Sequence, residues 1–139
     1  MQIVEFCHIK DKFGIKSLNF VGGKNSSLGN MISDMEKLEV KVPNGFAITT
    51  SFYNEFIEAN NIQSLINKLD KTTTNFESLS KEIRTKIEES DFSDDFLNLL
   101  SNHYQMLGGG DVAVRSSATA EDLDNASFAG QQDTYLNIS

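Results

Sequence analysis

Between residues 62 and 107 apolar side chains recur every three or four positions, in three separate runs. Ile62, Leu65, Ile66 and Leu69 form the first stripe, and Phe76, Leu79, Ile83 and Ile87 the second. Phe92, Phe96, Leu97, Leu100, Tyr104 and Leu107 form the third. This spacing places each set on one face of a helix, which has to bury that face against a partner. The polar stretches Lys71–Asn75 and Ser90–Asp91 separate the runs. A fourth set, Tyr53, Phe56 and Ile57, follows Thr49, Thr50 and Ser51, all of which are good helix N-caps. The spacing therefore predicts a helical segment over about 51–107, with no chemistry-bearing cluster along its stripes.

The flanks read differently. In "SLNFVGGKNSSLGNMISDMEKLEV" we expect a short strand, a Gly22-Gly23 turn and a helix whose face carries Leu28, Met31, Ile32, Met35 and Leu38. Pro43-Asn44-Gly45 marks a turn, and Phe46-Ala47-Ile48 a buried strand. Gly108-Gly109-Gly110 is a flexible joint, after which Val112-Ala113-Val114 reads as a buried strand ending at Arg115. Thr134–Ile138 reads as a further strand. Strands at both ends around a block of helices give an α+β class. A chain of 139 residues holds one domain-sized core.

Charge narrows the function classes. The net charge is -8. Residues 1–50 carry six lysines against five acidic residues, 51–110 five basic against ten acidic, and 111–139 one arginine against five acidic. An acidic chain without a basic stripe is unsuited to a nucleic-acid backbone. No run approaches the roughly 18 apolar residues of a membrane helix, and the N-terminus has no secretory pattern. We therefore expect a cytoplasmic protein that binds neither nucleic acid nor membrane. The single cysteine, Cys7, excludes an internal disulfide and offers no cysteine cluster for a metal.

Against this acidic background, Lys24 and Arg115 stand out. Lys24 follows Gly22-Gly23 at the start of a helix, and Arg115 leads from a strand into Ser116-Ser117-Ala118-Thr119. Small residues let backbone N–H groups approach an anion, and a helix N-terminus adds its positive dipole end. Guanidinium and hydroxyl groups suit phosphate oxygens, so the pair points to a polyphosphate, with Gly130 allowing a second close approach. The motif is not a P-loop, which requires G-x-x-x-x-G-K-[ST]; the first glycine position is Leu18 and the residue after the lysine is Asn25. Nor is the dinucleotide pattern G-x-G-x-x-G present around Gly22-Gly23. Ser116 and Ser117 lack a nearby general base, which makes them donors rather than nucleophiles. Glu121 and Asp122 are adjacent and read as a solvated loop pair rather than metal ligands. His8, in the first strand-like stretch, and His103, on a helix, read as structural or surface histidines.

Three stretches carry a resemblance. "VGGKNSSLGNM", "VPNGFAITTSFYNEF" and "VAVRSSATAEDLDNASFAGQQDTYLN" resemble, in order and spacing, three successive blocks of the N-terminal nucleotide-binding domain of the phosphoenolpyruvate synthase (pyruvate, water dikinase) family. The third block is shared with pyruvate phosphate dikinases and rifampicin phosphotransferases, while "GGKNSSLG" and "VPNGFA" lean toward the synthase. The resemblance implies that residues 1–139 are the N-terminal part of an ATP-grasp domain. It places ATP contacts on Lys24, Arg115, Gly130 and Thr134, with Ser116 and Thr119 as further candidates. Where the family usually has Pro after Glu-Asp-Leu, this chain has Asp124.

The resemblance also implies what lies elsewhere. The Mg2+ ligands, the phosphorylated histidine and the pyruvate-binding barrel are expected beyond residue 139, so this chain is expected to hold no catalytic residue and no metal ligand, and to be inactive alone. The family reaction converts ATP, pyruvate and water to AMP, phosphoenolpyruvate and phosphate. Two alternatives stay open: the same ATP segment in a rifampicin phosphotransferase-like enzyme, and a non-catalytic nucleotide-binding or interaction fragment.

Overall fold

The computed structural model describes residues 1–35, 38, 42–71, 74–119 and 133–139. Its elements run β1 (Ile3–Glu5), α1 (Ile9–Phe13), α2 (Ser17–Met35), β2 (Phe46–Ile48), α3 (Thr50–Ala59), α4 (Gln63–Lys71), α5 (Phe76–Glu88), α6 (Asp94–Met106), β3 (Val112–Arg115) and β4 (Thr134–Ile138). Two 3₁₀ turns, Phe6–His8 and Gly14–Lys16, flank α1. The mixture of helices with small sheets is α+β.

β1 and β2 pair antiparallel, with Val4 opposite Ala47. That sheet meets α1 and α2 in a core of Val4, Ile9, Val21 and Ala47, with Phe6, Phe13 and Phe20 packed around it. Phe13 and Phe20 stack with ring centroids 4.7 Å apart. The contact explains one departure from the sequence expectation. Residues 17–21 form not a strand but the first turn of α2, which places Phe20 on Phe13 and Val21 in the core. A short apolar run does not distinguish strand from helix by its period alone, and here tertiary packing decides.

The stripes form helices as their spacing predicts, but burial is partial: Phe76, Ile87 and Leu97 are exposed, and Phe92, also exposed, precedes α6. α4 and α5 bring Leu65 and Ile83 together with Ile57 and Ile62, and Phe56, Ile66 and Leu69 pack against them. A second apolar junction is aromatic. Phe52 of α3 stacks on Phe96 of α6, while Phe92 meets Phe52, Phe56 and Phe96 edge-tilted. At the start of α6 the Phe96 N–H donates to the Ser93 hydroxyl, and Asp94 and Asp95 occupy the first turn, where negative charge favours the helix dipole. Thr49 sits at the N-cap position of α3, but its hydroxyl donates to the Met1 carbonyl instead.

β3 and β4 pair antiparallel, with Val114 opposite Tyr135 and Arg115 opposite Thr134. Val112–Val114 was expected to be buried. It is not: Val112 is half-buried, Ala113 and Val114 are exposed, and β4 is exposed throughout. Neither core cluster includes a residue from this sheet, so its alternating valines have no layer to enter among the described residues. His8 closes the 3₁₀ turn after β1 rather than lying within a strand.

Candidate functional site

α2 is broken at Gly22, whose φ of 75° and ψ of 171° lie where only glycine is at ease. Helical geometry resumes after it, so the helix carrying Lys24 has a fresh N-terminus with N–H groups lacking partners in its own turn. The loop after β3 supplies them. The Gly23 N–H donates to the Ala118 carbonyl at 3.1 Å, and the Asn25 N–H to the Ser117 hydroxyl at 3.3 Å. The same hydroxyl donates to the Val21 carbonyl at 2.9 Å. Segments more than ninety positions apart in sequence, 96 for Val21 and Ser117, are thus tied at one joint.

Fit at this joint leaves no room for a side chain on residue 22. A Cβ there would lie 2.4 Å from both the carbonyl and hydroxyl oxygens of Ser117. Glycine is required twice over, by backbone conformation and by close approach.

Lys24 is drawn into the joint. Its Nζ donates to the Ser116 carbonyl at 3.2 Å. Ser116 in turn is fastened to the strand opposite, its N–H and hydroxyl both reaching the Asp133 carbonyl, at 3.2 and 3.3 Å. Arg115 and Thr134 are direct register partners, and both are exposed. The structure therefore brings Lys24 to the Ser116–Ala118 loop and pairs Arg115 with Thr134 at the mouth of that loop. Gly130, and with it Glu121, Asp122, Asp124 and the Gly130-Gln131-Gln132 stretch, lies outside the described residues.

Beside the loop opens a cleft of about 530 Å³. Phe20 and Val21 of α2, Phe52, Tyr53 and Phe56 of α3, and Phe92 form its apolar walls, while Thr49, Thr50 and Ser117–Thr119 contribute hydroxyls and backbone. Thr119, a candidate from the sequence, stands at this cleft. Tyr53, Phe56 and Phe92 of its aromatic wall belong to the helical stripes, but Phe20 and Phe52 carry no sequence signal for this place. By its local sequence Phe20 reads as strand, and Phe52 lies outside the Tyr53–Phe56–Ile57 stripe. The hydroxyl-carboxamide pattern around Gly22–Asn25 gave no sign of its tie to Ser117 either, because each end is an ordinary small polar residue.

The groups gathered here are cationic, hydroxyl-bearing and backbone N–H. Among the described residues, the grouping of three potential metal-ligating side chains is Glu5, Cys7 and His8, none of which belongs to this loop or cleft. The described site therefore does not fit a Mg2+ centre by itself, because hard cations take carboxylate and other oxygen ligands in numbers.

The glycine joint carrying Lys24 is thus pinned to the loop that follows Arg115. The family model for the pyruvate phosphate dikinase AMP/ATP-binding domain matches residues 18–139, and the chain belongs to that family. The relatives are more particular. The chain is 40% identical over 137 residues to a phosphoenolpyruvate synthase of Escherichia coli strain K12, covering 92% of this chain and 17% of the relative. It is 44% identical over 134 residues to the phosphoenolpyruvate synthase of Helicobacter pylori, covering 88% and 16%. A probable phosphoenolpyruvate synthase of Methanocaldococcus jannaschii is 40% identical over 139 residues, covering 92% and 11%. The chain thus spans less than a fifth of the length of these curated relatives. Among the described residues no helix is long and apolar enough to cross a membrane.

Proposed function

We propose that this chain is the ATP-binding N-terminal segment of a phosphoenolpyruvate synthase, one part of an ATP-grasp domain, and is inactive alone. The observation that carries the reading is the joint in which the Lys24 turn and the Arg115–Thr119 loop are fastened to each other. Two cations set in small, donor-rich turns of a chain with net charge -8 suit a triphosphate, which requires charge neutralisation and close backbone donors.

In this reading Lys24 Nζ exchanges the Ser116 carbonyl for a phosphate oxygen. The Arg115 guanidinium grips a second phosphate as a fork. Thr134, across the strand pair from Arg115, donates its hydroxyl to the same group, and Ser116, Thr119 and Gly130 bring further donors or close backbone approach. Phosphoryl transfer asks mainly for positioning and electrostatic stabilisation, and these residues supply the positioning on one side of the nucleotide. Mg2+ would be held by residues beyond this segment and would supply charge neutralisation there; the part of this segment is to bind and position the nucleotide. Pyruvate is reached through the further domains, and a cytoplasmic setting goes with ATP as the substrate.

The test is acceptor-dependent formation of AMP by the complete enzyme that carries this segment. Pyruvate-dependent AMP and phosphoenolpyruvate formation supports the proposal. Formation of AMP with rifampicin but not with pyruvate moves the segment to the antibiotic phosphotransferases. Absence of ATP binding in the complete enzyme removes both enzymatic readings and leaves an interaction fragment.

A further inference from the structure

Glu5, Cys7 and His8 converge at the point where β1 ends, outside the joint of Lys24 with the Ser116–Ala118 loop. Glu5 is the last residue of β1, and Cys7 and His8 belong to the 3₁₀ turn that follows. A 3₁₀ turn has three residues per turn, so side chains at i and i+3 stand on the same side. The Glu5 and His8 side chains meet in that way, with His8 Nδ1 3.5 Å from Glu5 Oε2. Cys7 Sγ lies 3.7 Å from the same oxygen, and the three ligand atoms are all within 4.8 Å of one another.

These separations match a definite coordination sphere. With Zn–S near 2.3 Å, Zn–N near 2.0–2.1 Å and Zn–O near 2.0–2.2 Å, tetrahedral angles set S···O at about 3.6 Å and N···O at about 3.4 Å. The observed 3.7 and 3.5 Å lie close to these values, while the sulfur and the imidazole nitrogen, within 4.8 Å of each other, would close toward about 3.5 Å around the ion. The turn is also held by contacts independent of the three ligands. The Phe6 N–H donates to the Gly45 carbonyl at 2.9 Å, and the Phe6 ring lies so close to Gly45 that a Cβ there would be 2.3 Å from it. The backbone presenting the donors is therefore set before any ion arrives.

We propose that Glu5, Cys7 and His8 form a three-ligand site for a borderline divalent cation of the Zn2+ class, with the fourth position open to solvent. The open side is consistent with His8 and Glu5 side chains that are 56% and 27% exposed. A sulfur, a nitrogen and a single carboxylate select Zn2+ or Co2+ over the oxygen-preferring Mg2+ and Ca2+. The site is thus distinct in chemistry from the Mg2+ that ATP carries. The bound ion clips the end of β1 to the turn that enters α1, next to Val4 and Ile9 of the first core.

Titration of the chain with Co2+, under a reductant that does not bind metals, tests this directly. The expected result is saturation at one ion per chain, a thiolate-to-cobalt charge-transfer band, the visible spectrum of a four-coordinate ion, and displacement by Zn2+ but not by Mg2+. Cys7→Ser should abolish the charge-transfer band, while Glu5→Gln and His8→Asn should each weaken binding on the order of tenfold or more, since even outer-shell changes cost that much. His103→Asn, on α6, should leave binding unchanged, and unaltered helical circular dichroism in every variant shows that folding is retained. The proposal is overturned if no charge-transfer band develops, if it survives Cys7→Ser, or if removing Glu5 and His8 leaves affinity as it was, which would reduce the site to a single thiol.

Discussion

Replacing Gly22 by alanine places one methyl group into the joint between α2 and the Ser116–Ala118 loop. Two costs arise. The backbone at φ 75° and ψ 171° lies in a region that is essentially reserved for glycine and costs about 1–3 kcal/mol for another residue. The new Cβ would also stand 2.4 Å from Ser117 O and Oγ, against an ordinary contact of 3.4–4 Å. The loop would have to retreat by roughly an ångström, a distance that takes hydrogen bonds of 2.9, 3.1 and 3.3 Å beyond useful length. Losing three such bonds at about 0.5–1.5 kcal/mol each brings the total to about 2.5–7.5 kcal/mol, a large share of the roughly 5–15 kcal/mol that holds a typical domain. Urea denaturation should show that loss, and limited proteolysis should show faster cutting within 116–119. Gly108→Ala separates strain from clash, because Gly108 also has positive φ (96°) but nothing within 4 Å of its would-be Cβ; it should cost no more than about 1–3 kcal/mol and leave the loop protected. Should Gly22→Ala unfold within 1 kcal/mol of the unaltered chain, about the size of one hydrogen bond, and resist protease equally, the joint does not hold the loop.

Two further substitutions test the packing and capping. Ile62 is 0% exposed in the second core, and Ile62→Ala should lower stability by about 2–5 kcal/mol in chemical denaturation. Ser93→Ala removes the hydroxyl that accepts from the Phe96 N–H and should cost about 1 kcal/mol, read as a lower unfolding midpoint without change in slope.

The helices were legible because their evidence is local. Ile83 and Ile87 on α5, or Phe96 and Leu100 on α6, lie one turn apart, and the polar gaps between stripes mark where each helix ends. Phe20 and Val21 were not legible in the same way. The three apolar residues Leu18, Phe20 and Val21 satisfy either period, and only Phe13, Ile9 and Val4, reached through tertiary packing, assign them to a helix. Val114 shows the converse: its residue type favours a buried strand, but burial depends on a covering layer that no local pattern encodes. At the candidate site, Lys24 and Arg115 were visible as isolated cations beside small residues. The tie from Ser117 to Val21 and Asn25 was not, since a serine's partner ninety positions away leaves no mark on the serine itself. Glu5, Cys7 and His8 escaped for another reason. A lone cysteine fits no metal-binding spacing, and only the change from strand to 3₁₀ turn brings its neighbours onto one side.

The central claim is that Lys24 and Arg115 form one phosphate-gripping edge, and equilibrium dialysis of radiolabelled ATP against the complete enzyme tests it most directly. A charge-assisted contact contributes about 1.5–3 kcal/mol, or about tenfold to more than a hundredfold in affinity. Arg115→Ala and Lys24→Ala should each weaken ATP binding within that range. Arg115→Lys should recover only part of the loss, because lysine lacks the bidentate fork, and Lys81→Ala, exposed on α5, should bind as the unaltered protein does. Folded Arg115→Ala and Lys24→Ala proteins that retain unaltered ATP affinity would contradict the account.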